Sequence, residues 1–205
     1  MQHNMPLEVK NTFFEFLNYQ KSVADLEQWL YQTTILEEVL APDDYLELIA
    51  IDFGQRNEKY YLNCRYQINK IIKKYINLEE YETWKIKRLL NNFLKRKGDL
   101  AKKLNKFYDL YCHGYGFLDR LSLHYGIEFT DYYIEILSKE ETEQKIKSVL
   151  PGVDKEIKKV LSWLEQEKIK IINDPNSCYS IDYIDNRRES EKIPIYKINT
   201  SHRNK

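Results

Sequence analysis

The sequence predicts a mainly α protein, a multi-helix bundle with a small C-terminal β-hairpin, and three observations predict it. Apolar residues recur every three or four positions from near Glu8 to about Glu167, the spacing that lines one face of a helix. Helix-start signatures, Ser22 with Asp25, Asn77 with Glu80 and Ser138 with Glu141, punctuate that run. From Lys168 the pattern becomes alternation, Ile169 and Ile171, then Tyr179, Ile181 and Tyr183, around the turn Asn173-Asp174-Pro175-Asn176.

Each element follows from its own residues. Behind Ser22, Val23, Leu26 and Leu30 repeat at helical spacing with Trp29 alongside, and Thr34 with Glu37 repeats the capping pattern. Pro42 suits a first helical turn, after which Leu46, Ile49, Ala50 and Phe53 make one stripe and leave Asp44 and Glu47 on the exposed side. Tyr61, Cys64, Ile68, Ile72 and Tyr75 mark the next helix; Ile86, Leu89, Leu90 and Phe93 mark another, with Gly98 as its expected cap. Leu100, Leu104, Phe107, Tyr108 and Tyr111 form a helix broken by Gly114 and Gly116, and a short one follows from Phe117 to Tyr125. The segment opened by Ser138 is expected to stop at Pro151-Gly152, with Val153, Ile157, Val160, Leu161 and Leu164 in a separate last helix. That makes seven or eight helices in a domain over 1–167, with residues 168–205 as a hairpin tail packed on it or appended to it. A third strand is expected at Ile193–Ile198 and a frayed end at Thr200–Lys205. Trp29, Leu46, Phe53, Leu90, Phe107, Leu121 and Leu161 are the expected core.

Composition narrows the function classes. A chain of 205 residues with 42% hydrophobic and 31% charged residues describes a globular protein with a sizeable core. No stretch approaches the roughly 20 apolar residues of a membrane span. Around Pro6, Glu8 and Lys10 there is no charged-then-apolar signal, so a cytoplasmic location is expected. Cys64, Cys112 and Cys178 are odd in number and never in a Cys-x-x-Cys pair, which supports neither a disulfide framework nor a cysteine zinc site.

Charge is sorted along the chain although 32 basic residues balance 32 acidic ones. Between Ser22 and Gln55 there are eight acids (Asp25, Glu27, Glu37, Glu38, Asp43, Asp44, Glu47, Asp52) and no Lys or Arg. From Lys85 to Lys106 nine bases face one acid, Asp99. Such segregation acts on partner choice and association rate more than on folding.

Catalytic spacings are largely missing. There is no Gly-rich loop ending in Lys-Ser/Thr and no Gly-x-Ser-x-Gly, and Gly114-Tyr115-Gly116 follows a helix where a nucleotide fingerprint follows a strand. No Glu stands three residues before any His, and no His-Glu-x-x-His occurs; Asp43 with Glu47 offers too few oxygens to hold a hard cation alone. No cofactor and no metal is therefore expected. Arg120 and His124, one helical turn apart, resemble the Arg–His pair of HEPN-type ribonucleases, with a shorter spacing and Leu121 where that family has a polar residue.

Two segments carry a second resemblance: D-L-E-Q-W-L-Y (Asp25 to Tyr31) running into L-E-E-V-L-A-P-D-D-Y-L-E-L-I-A-I-D-F (Leu36 to Phe53), and Y-D-L-Y-C-H-G-Y-G-F-L-D-R-L-S-L-H-Y-G (Tyr108 to Gly126). Together they resemble the small helical immunity proteins encoded beside bacterial polymorphic toxins and contact-dependent inhibition systems. The resemblance implies a cytoplasmic, non-catalytic protein that binds and blocks one toxin domain. An acidic surface complements the basic cleft of a nuclease toxin. Asp43, Asp44 and Glu47 are the expected contact residues, with Asp119, Tyr132 and Tyr133 as a second patch. The alternatives are a non-catalytic module that binds nucleic acid through the Lys85–Lys106 run, a regulatory interaction module, and a HEPN-like ribonuclease; nucleic acid is not the expected partner.

Overall fold

The computed structural model describes residues 5–53, 58–179 and 181–192. Among them the fold is mainly α with a two-stranded antiparallel hairpin. The α-helices are α1 (Leu7–Leu17), α2 (Val23–Gln32), α3 (Leu36–Val39), α4 (Pro42–Ile49), α5 (Glu58–Ile72), α6 (Leu78–Leu94), α7 (Leu100–Cys112), α8 (Asp131–Ile134) and α9 (Lys139–Glu165). Between α7 and α8 the chain makes a 3-10 turn at Gly116–Leu118, a π-helical turn at Arg120–Tyr125 and a second 3-10 turn at Gly126–Phe129. Strands β1 (Ile169–Asn173) and β2 (Ile181–Asp185) pair with Ile171 opposite Tyr183. The strand expected at 193–198 and the end at 200–205 lie outside the described residues. Among the described residues no helix is long and apolar enough to cross a membrane.

The chain divides into two compact units, 1–81 and 82–205. The helical body expected over 1–167 is thus shared between them, and the hairpin belongs to the second, where β1 packs against α9.

In the first unit Phe13, Phe16, Leu26, Leu36, Leu48, Ile68 and Ile71 are fully buried in one cluster, with Trp29, Tyr45 and Phe53 partly buried against it. Trp29 and Phe53 are thus half-buried where full burial was expected. The Ser22 box forms: Ser22 Oγ accepts the Asp25 N–H at 3.0 Å and the Asp25 carboxylate accepts the Ser22 N–H at 2.8 Å. The Thr34 box does not. α3 starts behind Ile35 with no side-chain cap, and the Glu37 carboxylate instead accepts the Tyr45 hydroxyl at 3.0 Å.

Helix α4 has Pro42 in its first turn, as expected, but turns a different face inward. Leu48 is buried while Leu46 is 57% exposed. A helix of two turns with apolar residues on several sides offers competing stripes. The stripe that wins brings Asp44, one turn before Leu48, within reach of Lys74 and Tyr75.

In the second unit Ile86, Leu90 and Phe93 of α6, Leu104 and Phe107 of α7, Leu121, and Val153, Ile157, Val160 and Leu161 of α9 are buried. The separate helices expected on either side of Pro151-Gly152 are one helix, Lys139–Glu165. Proline removes one N–H bond and crowds the preceding turn. Here the Ser138–Glu141 capping box and the buried stripe beyond Gly152 hold the helix on both sides of that defect. Gly152 is there for a neighbour: a Cβ on it would stand 2.9 Å from Cζ of Tyr125.

Helix α6 also ends differently from expectation. Arg96, in left-handed conformation at φ 54°, donates its N–H to the Phe93 carbonyl, and the Lys97 N–H reaches Asn92 at 2.9 Å. These are the two bonds of a Schellman cap, two residues before Gly98.

Candidate functional site

Helix α4 presents two faces of opposite use. On the inner face Asp44 accepts the Tyr75 hydroxyl at 2.6 Å and pairs with Lys74, and Tyr75 Oη in turn accepts the Ala41 N–H at 2.8 Å. Hydrogen bonds from Lys74 and then Tyr75 hold the Asp44 carboxyl below the usual Asp range. Asp44 is therefore committed within the fold, which corrects its expected outward position. On the outer face Asp43, Leu46, Glu47 and Ala50 are all exposed. Their spacing places them side by side, an apolar side chain flanked by two carboxylates.

The second patch is only partly as expected. Asp119 is half-buried; burial raises its carboxyl pKa, and its oxygen accepts the Arg120 N–H at 2.7 Å. It caps the π-helical turn and is a poor outward contact. Tyr132 is 76% exposed, one turn before Ile136 at 72%. Tyr133 lies in α8, and its side chain is outside what the structure describes.

Arg120 and His124 are turned to different neighbours. Arg120 forms an ion pair with Glu156 of α9 at 3.6 Å, whereas His124 is exposed with its ring edge-on to Tyr125, centroids 4.6 Å apart. The π-helical winding of Arg120–Tyr125 replaces the regular turn that the one-turn spacing assumed.

Around Glu156 lies a polar cluster that sequence reasoning missed. Glu156 is buried and also takes Lys159 at 3.1 Å. Arg187 grips Asp185 through two bonds of 3.0 and 2.8 Å while its guanidinium lies 4.5 Å over the Trp163 ring. Burial works against the Asp185 charge, yet the Arg187 hydrogen bonds hold its pKa below the ordinary value. One signal was legible: Glu156 occupies a stripe position between Val153, Ile157 and Val160, where a charged residue needs a partner.

The basic run from Lys85 to Lys106 does not form one uniform cationic face. Lys85 pairs with Glu82, Arg96 with Asp154 through two bonds, Lys106 with Asp109 at 3.8 Å, and Arg88 lies 4.9 Å from the Trp84 ring. Among the described residues no group of three His, Cys, Asp or Glu could hold a metal ion. No family model matches the chain, and neither a curated protein nor a solved structure matches it.

Proposed function

We propose that this chain is a binding protein of the toxin-immunity kind, which blocks a bacterial toxin domain by laying the outer face of α4 against a basic surface. The observation that carries the reading is the exposed set Asp43, Leu46, Glu47, within a stretch of sequence from Ser22 to Gln55 that has no Lys or Arg. The two carboxylates steer and orient a cationic partner. Leu46 supplies the apolar anchor, and burying a leucine contributes about 2 kcal/mol. A nuclease toxin, whose substrate cleft must attract phosphate, carries the complementary charge.

A nucleic-acid-binding role for the Lys85–Lys106 run is the weaker reading, because several of its charges already have acidic or aromatic neighbours in the second unit. The direct experiment first asks whether a toxin domain is encoded beside this gene; a neighbourhood without one would contradict the reading. Cells producing that domain should grow only when this chain is co-expressed, and the purified pair should form a complex in calorimetric titration. Growth arrest despite co-expression, or no measurable complex, would contradict the reading.

A further inference from the structure

The second unit contains a cleft of about 590 Å³ lined by Arg120, Glu156, Lys158, Lys159, Lys168 and Glu191, together with polar and aromatic residues of α9, its C-terminal end and the segment after β2. We propose that it binds a small phosphomonoester dianion, an occupant separate from the protein partner assigned to α4.

Its charge is unbalanced in a way that calls for an anion. Four cationic side chains line it against two carboxylates. Both carboxylates work as tethers. Glu156, with its side chain only 8% exposed, takes Lys159 at 3.1 Å and Arg120 at 3.6 Å. Glu191 takes Lys168 Nζ at 3.1 Å and the Trp163 Nε1–H at 3.2 Å on the same oxygen. The side chains of Arg120, Lys159 and Lys168 remain 37%, 39% and 34% exposed, so each is held in place yet open to the cleft. Cations fixed before the ligand arrives lose less freedom on binding it.

Arg120 gives the cleft its directional element. A separation of 3.6 Å exceeds hydrogen-bond length, so Glu156 compensates the charge of Arg120 without saturating its N–H donors. A guanidinium in that position suits a fork of two oxygens on one phosphate. The Gln166 amide, donating to the Ser162 hydroxyl at 3.0 Å, adds polar lining on the α9 side. The volume lies in the range of small-molecule sites, and a phosphomonoester carries close to two negative charges at neutral pH.

The test titrates the full chain with adenosine 5′-monophosphate at constant ionic strength, following the tryptophan indole resonances by NMR, with adenosine and a short single-stranded oligonucleotide as comparisons. The expected result is saturable movement of the Trp163 indole with the monophosphate and none with adenosine. Affinity should rise as pH passes about 6, where the second phosphate proton leaves. Lys158→Gln with Lys159→Gln should weaken binding by about tenfold or more while the spectrum stays folded. Arg120→Lys, which keeps the charge and removes the fork, should weaken it as well. Absence of a saturable shift, equal binding of adenosine, unchanged affinity in the double variant, or binding of the oligonucleotide without the monophosphate would each overturn the assignment.

Discussion

The Tyr75 hydroxyl donates to the Asp44 carboxylate at 2.6 Å, joining the first turn of α4 to the segment after α5. Because Tyr75 Oη also accepts the Ala41 N–H, one phenol fixes both the entry into α4 and its rotation. That rotation decides which of the helix's carboxylates face outward.

Replacing Asp44 with Asn should cost about 1 kcal/mol at pH 7, because the amide oxygen can still accept from Tyr75 while the pair with the half-exposed Lys74 is lost. The Asp44 pKa is depressed in the folded chain, so its contribution is fully present above the unfolded Asp value, about 3.9, and is lost as pH falls through the folded value. Urea denaturation of wild type and Asp44→Asn should show a gap at pH 7 that narrows as pH falls below the unfolded Asp value, about 3.9. A gap independent of pH would show that the carboxylate charge is not what Lys74 and Tyr75 hold.

Arg65 is 4% exposed, with its guanidinium 4.3 Å from the Phe16 ring centroid and 4.0 Å from that of Tyr19. It donates to the Phe16 carbonyl and, at 3.4 Å, to that of Lys21, so a cation sits where α1 ends. Arg65→Lys keeps the charge but loses the planar stacking and the fork, and should destabilise the chain by about 1–3 kcal/mol. A loss below about 0.5 kcal/mol in chemical denaturation would assign the site to charge alone.

Local signals were legible where one residue pair decides the outcome. The Ser22–Asp25 and Ser138–Glu141 boxes and the Asn77 cap of α6 form as expected, because each needs only neighbours three positions apart. The alternation after Lys168 likewise yields the hairpin. Leu46 misled because α4 has competing stripes, and the choice between them rests on Lys74 and Tyr75, some thirty residues away. Pro151-Gly152 misled because its local meaning, a helix end, is overridden by Tyr125 at Gly152 and by the buried stripe beyond. The Glu156 cluster draws on the π-helical turn, α9 and the C-terminal segment, and no single window of sequence contains it.

Two glycines should differ in how their substitution can be repaired. A Cβ on Gly126 would stand 2.6 Å from the Leu104 carbonyl oxygen and 3.2 Å from the Tyr108 nitrogen, both backbone atoms, so Gly126→Ala should cost about 2–3 kcal/mol. At Gly152 the obstacle is the Tyr125 phenol, and Tyr125→Phe should recover part of the stability lost in Gly152→Ala. Thermal unfolding of the two single variants and the pair checks this. No recovery in the pair would place the strain elsewhere.

Glu167 closes α9 in left-handed conformation at φ 53°, with the Lys168 N–H on the Trp163 carbonyl at 2.9 Å. That conformation costs an L side chain roughly 1–2 kcal/mol. Glu167→Gly should therefore stabilise the chain by about 0.5–1 kcal/mol after the greater freedom of glycine in the unfolded chain is subtracted. A lower melting temperature would show that the Glu167 side chain contributes more than its backbone conformation costs.

The proposed binding role rests on the outer face of α4. The most direct measurement is the association rate of the chain with a toxin domain against which it protects on co-expression, taken at low and high salt for wild type and for Asp43→Lys with Glu47→Lys. Asp44 is left intact because it belongs to the Lys74–Tyr75 network. The expected result is a modest fall in melting temperature, because Asp43 sits in the first turn of α4 and Glu47 acts on Lys74, together with an association rate reduced by about tenfold or more at low salt and a flatter salt dependence. A variant that associates as fast as wild type at both salt concentrations would contradict it.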